Sequence, residues 1–128
     1  MDVRTISLKI VIPVEDEGGL AAVLSAHFGR APFFAVIEKE EEGKIESVNM
    51  VSNRGQHTGG RGLPAQNILA LQPDIVISTG MGRRAIDIFQ QNGVGVLQAP
   101  PGTVDATMKL FGEDKLPELT EGCVHAKH

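Results

Sequence analysis

The spacing of apolar positions along the chain changes near residue 60. Residues 6 to 14 (ISLKIVIPV) alternate and then become wholly apolar, which is typical of a central strand. Residues 33 to 38 and 44 to 51 are apolar runs of strand length, joined by an acidic turn in which Gly43 is expected to supply a positive φ. A short helix is expected over residues 20 to 26. The first half therefore predicts three strands, the last two pairing antiparallel.

The second half of the chain has helical spacing interrupted by short apolar runs. It predicts helices over residues 63 to 71, 83 to 91 and 104 to 111, with strands over 75 to 77 and 95 to 98. Thr103 is placed to cap the last helix, which Gly112 closes. The order β-β-β-α-β-α-β-α predicts an α/β fold with a mixed five-stranded sheet, a β-hairpin and flanking helices.

Continuous apolar runs are typical of strands that are covered on both faces, so residues 10 to 14, 75 to 77 and 94 to 97 should be adjacent parallel strands. The length of 128 residues suits one domain, spanning 1 to 128, with a core over about 6 to 112 and a tail over 113 to 128. The tail carries a cysteine and two histidines.

Composition and charge disfavour two classes of partner, nucleic acids and membranes. Twelve basic and sixteen acidic residues give a net charge of −4 without any basic run, which disfavours nucleic acid. No apolar run approaches the roughly 20 residues that cross a bilayer, so we expect no membrane span. A single cysteine cannot form an intramolecular disulfide, and no secretory leader pattern is present, so we expect a cytoplasmic protein.

Soft metal ligands fall at predicted loop or tail positions. These are His27, His57, Cys123, His125 and His128, and imidazole and thiolate groups suit iron, zinc or a sulfide cluster. His27 lies between a predicted short helix and Gly29, where a buried structural histidine is the alternative but a displayed imidazole fits better, so His27 is the first candidate ligand. His57 lies in a glycine-rich segment over 54 to 62 that could fold over an anion or form a surface loop. The tail that carries Cys123, His125 and His128 could supply ligands to the site or could be a frayed terminus.

The sheet edge where the parallel strands end is the expected ligand edge. It should collect Glu15, Asp16, the Gly80-Met-Gly82 segment and residues 99 to 102. The glycine segment follows a buried strand and opens a helix, so its N–H groups could bind an anion. A plain strand-to-helix turn is the alternative, because the third glycine of a dinucleotide fingerprint is missing and no P-loop occurs.

Two enzyme classes lack their required residues. Two-metal hydrolysis needs carboxylates on several strand ends, but the fourth and fifth strands end in Ser78-Thr79 and Gln98-Ala99. Nucleophilic catalysis needs a rigidly held Cys123, and the sixth position from the end of the sequence is poorly suited to that. We therefore expect no enzymatic activity.

Five segments of the chain together match the pattern of one protein family. They are KIVIPV (9 to 14), SAHFGRAPFF (25 to 34), PDIVISTGMG (73 to 82), Ala85 and GVGV (93 to 96). Of these, Ser-x-His-Phe-Gly-Arg-Ala-Pro is specific, whereas the others are common in α/β sheets. The chain resembles, over roughly Leu8 to Gly112, the dinitrogenase iron-molybdenum cofactor biosynthesis family, which includes NifX-type carriers and the C-terminal domain of NifB-type proteins.

The resemblance implies a ribonuclease H-like fold and a non-enzymatic carrier of an iron-sulfur or iron-molybdenum cofactor. Its implied partners are cluster-assembly proteins, and we expect a monomer or weak homodimer. The candidate metal ligands are His27, His57, Cys123 and His125. The groups expected to contact the cofactor are His27, Gly29, Arg30, His57, Gly80, Gly82 and Arg83. The alternatives are a small-anion or nucleotide sensor without metal, and an interaction module with no ligand.

Overall fold

A computed structural model describes residues 7 to 40, 43 to 53 and 64 to 119. The predicted ligands His57, Cys123 and His125, together with His128, lie outside these residues. The elements are β1 (Ser7–Val14), β2 (Phe33–Glu40), β3 (Ile45–Ser52), α1 (Pro64–Leu69), β4 (Ile75–Ser78), α2 (Arg83–Gln91), β5 (Gly95–Gln98) and α3 (Val104–Gly112). Two single turns of 3₁₀ helix, Gly19–Ala21 and Phe28–Arg30, lie between β1 and β2.

The five strands form one sheet in the order β3-β2-β1-β4-β5. β2 pairs antiparallel with β1 and with β3, whereas β4 pairs parallel with β1 and with β5. The predicted mixed sheet, its antiparallel hairpin and its three adjacent parallel strands are confirmed. Val14, Ser78 and Gln98 end the parallel strands at one edge of the sheet, and β2 begins at that edge because Phe33 pairs with Val14.

Helices cover both faces of the sheet. Val11 contributes to a core with Ile68 of α1 and Phe89 of α2, whereas Ile10 belongs to a second core with Val104 of α3. All five of these side chains have no exposed surface. Burial on both faces explains why β1 is apolar at successive positions rather than alternate ones.

The predicted helix ends are confirmed at two places. Gly93 follows α2 with a φ of 75°, a conformation that costs glycine little. The Thr103 hydroxyl accepts a hydrogen bond from the Ala106 amide at 3.2 Å and caps α3.

Two local predictions are wrong. Residues 20 to 26 do not form a helix, because after Ala21 the chain extends and forms β-bridges from Val23 to Thr103 and from Leu24 to Val14. Gly43 does not adopt a positive φ. Its amide donates to the Glu40 carbonyl at 3.1 Å, so Gly43 is the fourth residue of a turn, where a positive φ is not required.

The chain after α3 lies along the outer edge of β5. The Leu119 amide donates to the Val96 carbonyl at 2.8 Å, and the Gln98 amide donates to the Pro117 carbonyl at 2.9 Å. Leu116 and Leu119 are buried. The first residues of the expected tail are therefore part of the packed structure up to residue 119. None of the described helices is long and apolar enough to span a bilayer.

Candidate functional site

A cavity of about 610 Å³ opens at the carboxyl edge of the sheet, between the Phe28–Arg30 turn and the start of α2. This volume lies within the range of about 300 to 1,000 Å³ that is common for small-molecule sites. Its lining consists of Ala26, His27, Phe28, Gly29, Arg30, Ala65, Thr79, Gly80, Met81, Gly82, Arg84, Ala85 and Ile88. Five of the seven predicted contact residues are in that set.

Phe28 anchors the first wall of the cavity. The residue is 9 % exposed, and its ring packs edge-to-face on Phe89, with ring centroids 6.1 Å apart. The flanking His27, Gly29 and Arg30 are exposed, and the Arg30 amide closes the turn on the His27 carbonyl at 2.9 Å. A buried ring thus fixes a short turn whose imidazole and guanidinium groups remain accessible to a ligand.

The Gly80 to Gly82 segment forms the opposite wall. Met81 is 2 % exposed and packs into the core, which leaves the main chain of the two glycines at the cavity. Gly82 is the N-cap of α2 and makes no side-chain cap. The positive end of the α2 dipole therefore lies at this wall, where it favours an anion.

The basic side chain that α2 contributes to the cavity is Arg84. Arg83 does not line the cavity, and its Nε lies 4.0 Å from the Asp87 carboxylate on the helix surface. Within the described residues, neither Arg30 nor Arg84 has an acidic partner, and no carboxylate lines the cavity. In a chain of net charge −4, this cavity is a locally cationic site.

Arg84 was missed from the sequence, although two spacings pointed to it. Arg83 and Asp87 are four residues apart, a spacing that places the two side chains next to each other on the exposed surface of the helix, where they form an ion pair. Arg84 and Ile88 share another strip of the same helix, and both line the cavity.

The other groups expected at this edge have structural partners instead. The Asp16 carboxylate accepts hydrogen bonds from the Gly18 amide at 2.9 Å and the Val23 amide at 3.3 Å. The Gly102 carbonyl accepts from the Leu24 amide at 2.9 Å. Asp16 and residues 99 to 102 therefore shape the neighbouring loop and do not line the cavity, nor does Glu15.

Of the four predicted metal ligands, His27 is the one that the described part of the chain brings to the cavity. Across residues 7 to 40, 43 to 53 and 64 to 119, no group of three or more histidine, cysteine or acidic residues could hold a metal ion. A smaller cavity of about 310 Å³ adjoins the first and shares Gly29 and Arg30 with it.

The chain belongs to the dinitrogenase iron-molybdenum cofactor family, whose sequence profile matches residues 8 to 114. The family resemblance seen in the sequence is thereby confirmed.

Individual relatives match over most of their length. An uncharacterised protein of Methanocaldococcus jannaschii, MJ0580, is 31% identical over 116 residues, covering 88% of this chain and 92% of the relative. The crystal structure of PH0822 is 30% identical with a TM-score of 0.73, covering 88% of this chain and 96% of that one. The NMR structure of a Thermotoga protein, TM1290, provisionally described as NifB and placed in the DUF35 family, is 27% identical with a TM-score of 0.70, covering 91% and 97%.

Proposed function

We propose that this protein is a non-enzymatic carrier in metallocluster assembly that binds a preassembled iron-sulfur or iron-molybdenum-sulfur cluster in the cavity. One observation carries the proposal: His27, Arg30 and Arg84 line a cavity without carboxylates, and neither arginine has an acidic partner in the described residues. Membership of the iron-molybdenum cofactor family and the likeness to a protein described as NifB support the same role.

The donor set fits a whole cluster better than a bare ion. Structural and catalytic zinc sites, for example, use three or four protein ligands. The described cavity residues supply His27 alone, so a free metal ion would lack ligands there. A sulfide cluster brings its own bridging ligands and negative charge, which Arg30, Arg84 and main-chain N–H groups would offset.

A small number of protein ligands also suits delivery. Among the described residues, a cluster would be held by the His27 imidazole and several charge contacts, so few coordination bonds from this part of the chain have to break when an acceptor with more ligands takes it. The cavity is open at the sheet edge, between two loops, which provides a route for entry and exit. His57, Cys123 and His125 remain predictions of additional ligands.

Anaerobic transfer of isolated iron-molybdenum cofactor to the apoprotein tests the proposal. Visible absorption and the iron and molybdenum content per chain should show uptake by the wild type. His27→Ala should weaken uptake most, His125→Ala least, and Cys123→Ser should fall between them if the tail contacts the site. Equal uptake by all four proteins would show that the ligands are chosen wrongly, and no uptake by the wild type would contradict the carrier role.

The second candidate function is a small-anion or nucleotide sensor that uses the same cavity without metal. It is favoured by the absence of a three-ligand metal group in the described residues and by the two unpaired arginines. Calorimetric titration of the metal-free protein with phosphate and with ATP distinguishes the two functions. Saturable binding of either anion, lost in Arg84→Gln, together with no cluster uptake, would favour the sensor.

A further inference from the structure

In each of the two loops that face each other across the cavity, a buried serine hydroxyl makes the same pair of hydrogen bonds to the residue two positions later. The buried Ser25 hydroxyl accepts from the His27 amide and donates to the His27 carbonyl, both at 3.2 Å. The buried Ser78 hydroxyl accepts from the Gly80 amide at 3.3 Å and donates to the Gly80 carbonyl at 2.8 Å. Each serine bends its own loop just before the residues that line the cavity.

Thr79 joins the two loops. Its hydroxyl donates to the Ser25 carbonyl at 3.2 Å, across 54 positions of the chain. The Thr79 carbonyl in turn accepts from the Gln98 side-chain amide at 3.1 Å, which ties it to the end of β5. The hydrogen bond of the Thr79 hydroxyl links the loop over 25 to 30 with the loop over 78 to 82. No other hydrogen bond among the described residues joins these two loops.

A cavity with walls on separate loops must keep those walls at a fixed separation to bind a rigid ligand well. When a loop has to be ordered at the moment of binding, the ordering free energy is subtracted from the affinity. The spacing between the His27 imidazole and the Gly80 to Gly82 main chain therefore matters in the ligand-free protein.

We propose that Thr79 is a positioning residue, whose hydroxyl couples the two loops into one preformed cradle for the cluster. This inference rests on the proposed function for the identity of the ligand. The coupling itself is a property of the ligand-free chain and is tested separately.

Three variants separate the coupling from general stability. Thr79→Val removes the hydroxyl and keeps the shape of the side chain, whereas Thr79→Ser keeps the hydroxyl. Thr107→Val is the matched control, because the Thr107 hydroxyl donates to the Thr103 carbonyl at 2.9 Å on α3, away from the cavity. Both valine variants lose one hydrogen bond from a threonine hydroxyl to a main-chain carbonyl, and urea unfolding measures the loss of global stability in each.

Amide hydrogen exchange in the ligand-free protein is the first readout. Thr79→Val should speed exchange at His27, Arg30 and Gly80 by about fivefold or more, because local opening of the loops becomes easier. Thr107→Val should leave these amides within about twofold of wild type. Equal exchange in the two valine variants would overturn the coupling.

The second readout is the dissociation constant for isolated iron-molybdenum cofactor. It should rise about tenfold in Thr79→Val and return to within about threefold of wild type in Thr79→Ser. Faster exchange with unchanged binding would overturn the positioning role. If the wild type takes up no cofactor, the proposed function fails, and the exchange comparison still decides whether Thr79 couples the loops.

Discussion

The Nε atom of Arg83 lies 4.0 Å from the carboxylate of Asp87, one turn further along α2. This ion pair is exposed, with side chains that are 64% and 52% accessible, and it lies outside the cavity. The next residue, Arg84, lines the cavity without an acidic partner in the described part of the chain. Two adjacent arginines on one helix thus have different surroundings, so a substitution at one is a matched control for the same substitution at the other.

Arg84→Gln should weaken binding of the iron-molybdenum cofactor about tenfold, equivalent to ~1.4 kcal/mol, because a positive charge facing the anionic cluster is lost. Arg83→Gln removes the same charge from the chain but should change binding by less than about twofold. Its loss of an exposed ion pair should cost ~0.5 kcal/mol of stability or less. Anaerobic equilibrium titration of both variants is the measurement, and equal losses of affinity would mean that only net charge matters.

A substitution at Gly82 should lower cluster affinity without destabilising the fold. Its φ of −74° is open to any residue, and a Cβ there would have no atom within 4 Å. Threonine is about as good an N-cap as glycine, so Gly82→Thr should leave the free energy of unfolding within ~0.5 kcal/mol of wild type. The added side chain would stand at the cavity wall and should lower cluster affinity severalfold.

Gly112→Thr is the control for that variant. Gly112 is also free of neighbours at its Cβ position, but it lies in α3, away from the cavity. Urea denaturation and cofactor titration should show two folded variants, of which only Gly82→Thr binds poorly. Full affinity in Gly82→Thr would argue that the cluster does not approach this main chain.

Phe28→Ala should destabilise the protein by about 3 kcal/mol, because a buried ring packed on Phe89 is replaced by a void. Cluster affinity should fall as well, since the ring holds the His27 and Arg30 turn in place. Urea denaturation of this variant is to be compared with that of Phe111→Ala. Phe111 lies in α3 and is only partly buried. A larger stability loss in Phe111→Ala would contradict the anchoring role of Phe28.

The apoprotein should not cleave RNA–DNA hybrids in the presence of magnesium, despite its ribonuclease H-like sheet. Both carboxylate oxygens of Asp16 accept main-chain hydrogen bonds, and β4 and β5 end in residues without carboxylates. Paired metal ions would therefore lack ligands. A fluorescent hybrid substrate provides the assay, and robust cleavage that disappears in Asp16→Asn would replace the carrier role with an enzymatic one.

The sheet was predictable from sequence because its signals are local. Burial of Val11 on one face and Ile10 on the other produces a continuous apolar run, and Thr103 and Gly93 mark helix ends through contacts within a few residues. Residues 20 to 26 were assigned wrongly because their conformation is set by distant partners. The bridge from Val23 to Thr103 joins segments 80 positions apart, and no local periodicity reports it.

The sequence predicted the position of the site and several of its lining residues, but not all of them. His27, Gly29 and Arg30 belong to a specific motif, and the cavity brings them together. The choice between Arg83 and Arg84 depends on how α2 is rotated about its axis, which is fixed by the burial of Ile86 and Phe89 against the sheet. Thr79 could not be chosen from sequence, because its role arises from a contact with the Ser25 carbonyl in another loop.

The location of the bound cluster tests most directly whether the cavity is a cluster-binding site. An amide NMR spectrum of the protein, recorded before and after anaerobic loading with a paramagnetic form of the iron-molybdenum cofactor, maps it through line broadening. Signals of residues 26 to 30 and 79 to 84 should broaden strongly, while those of α3 and of the middle of β3 should persist. Uptake of cofactor with broadening centred on α3 or β3, and sharp signals around the cavity, would contradict the assignment of this cavity as the cluster site.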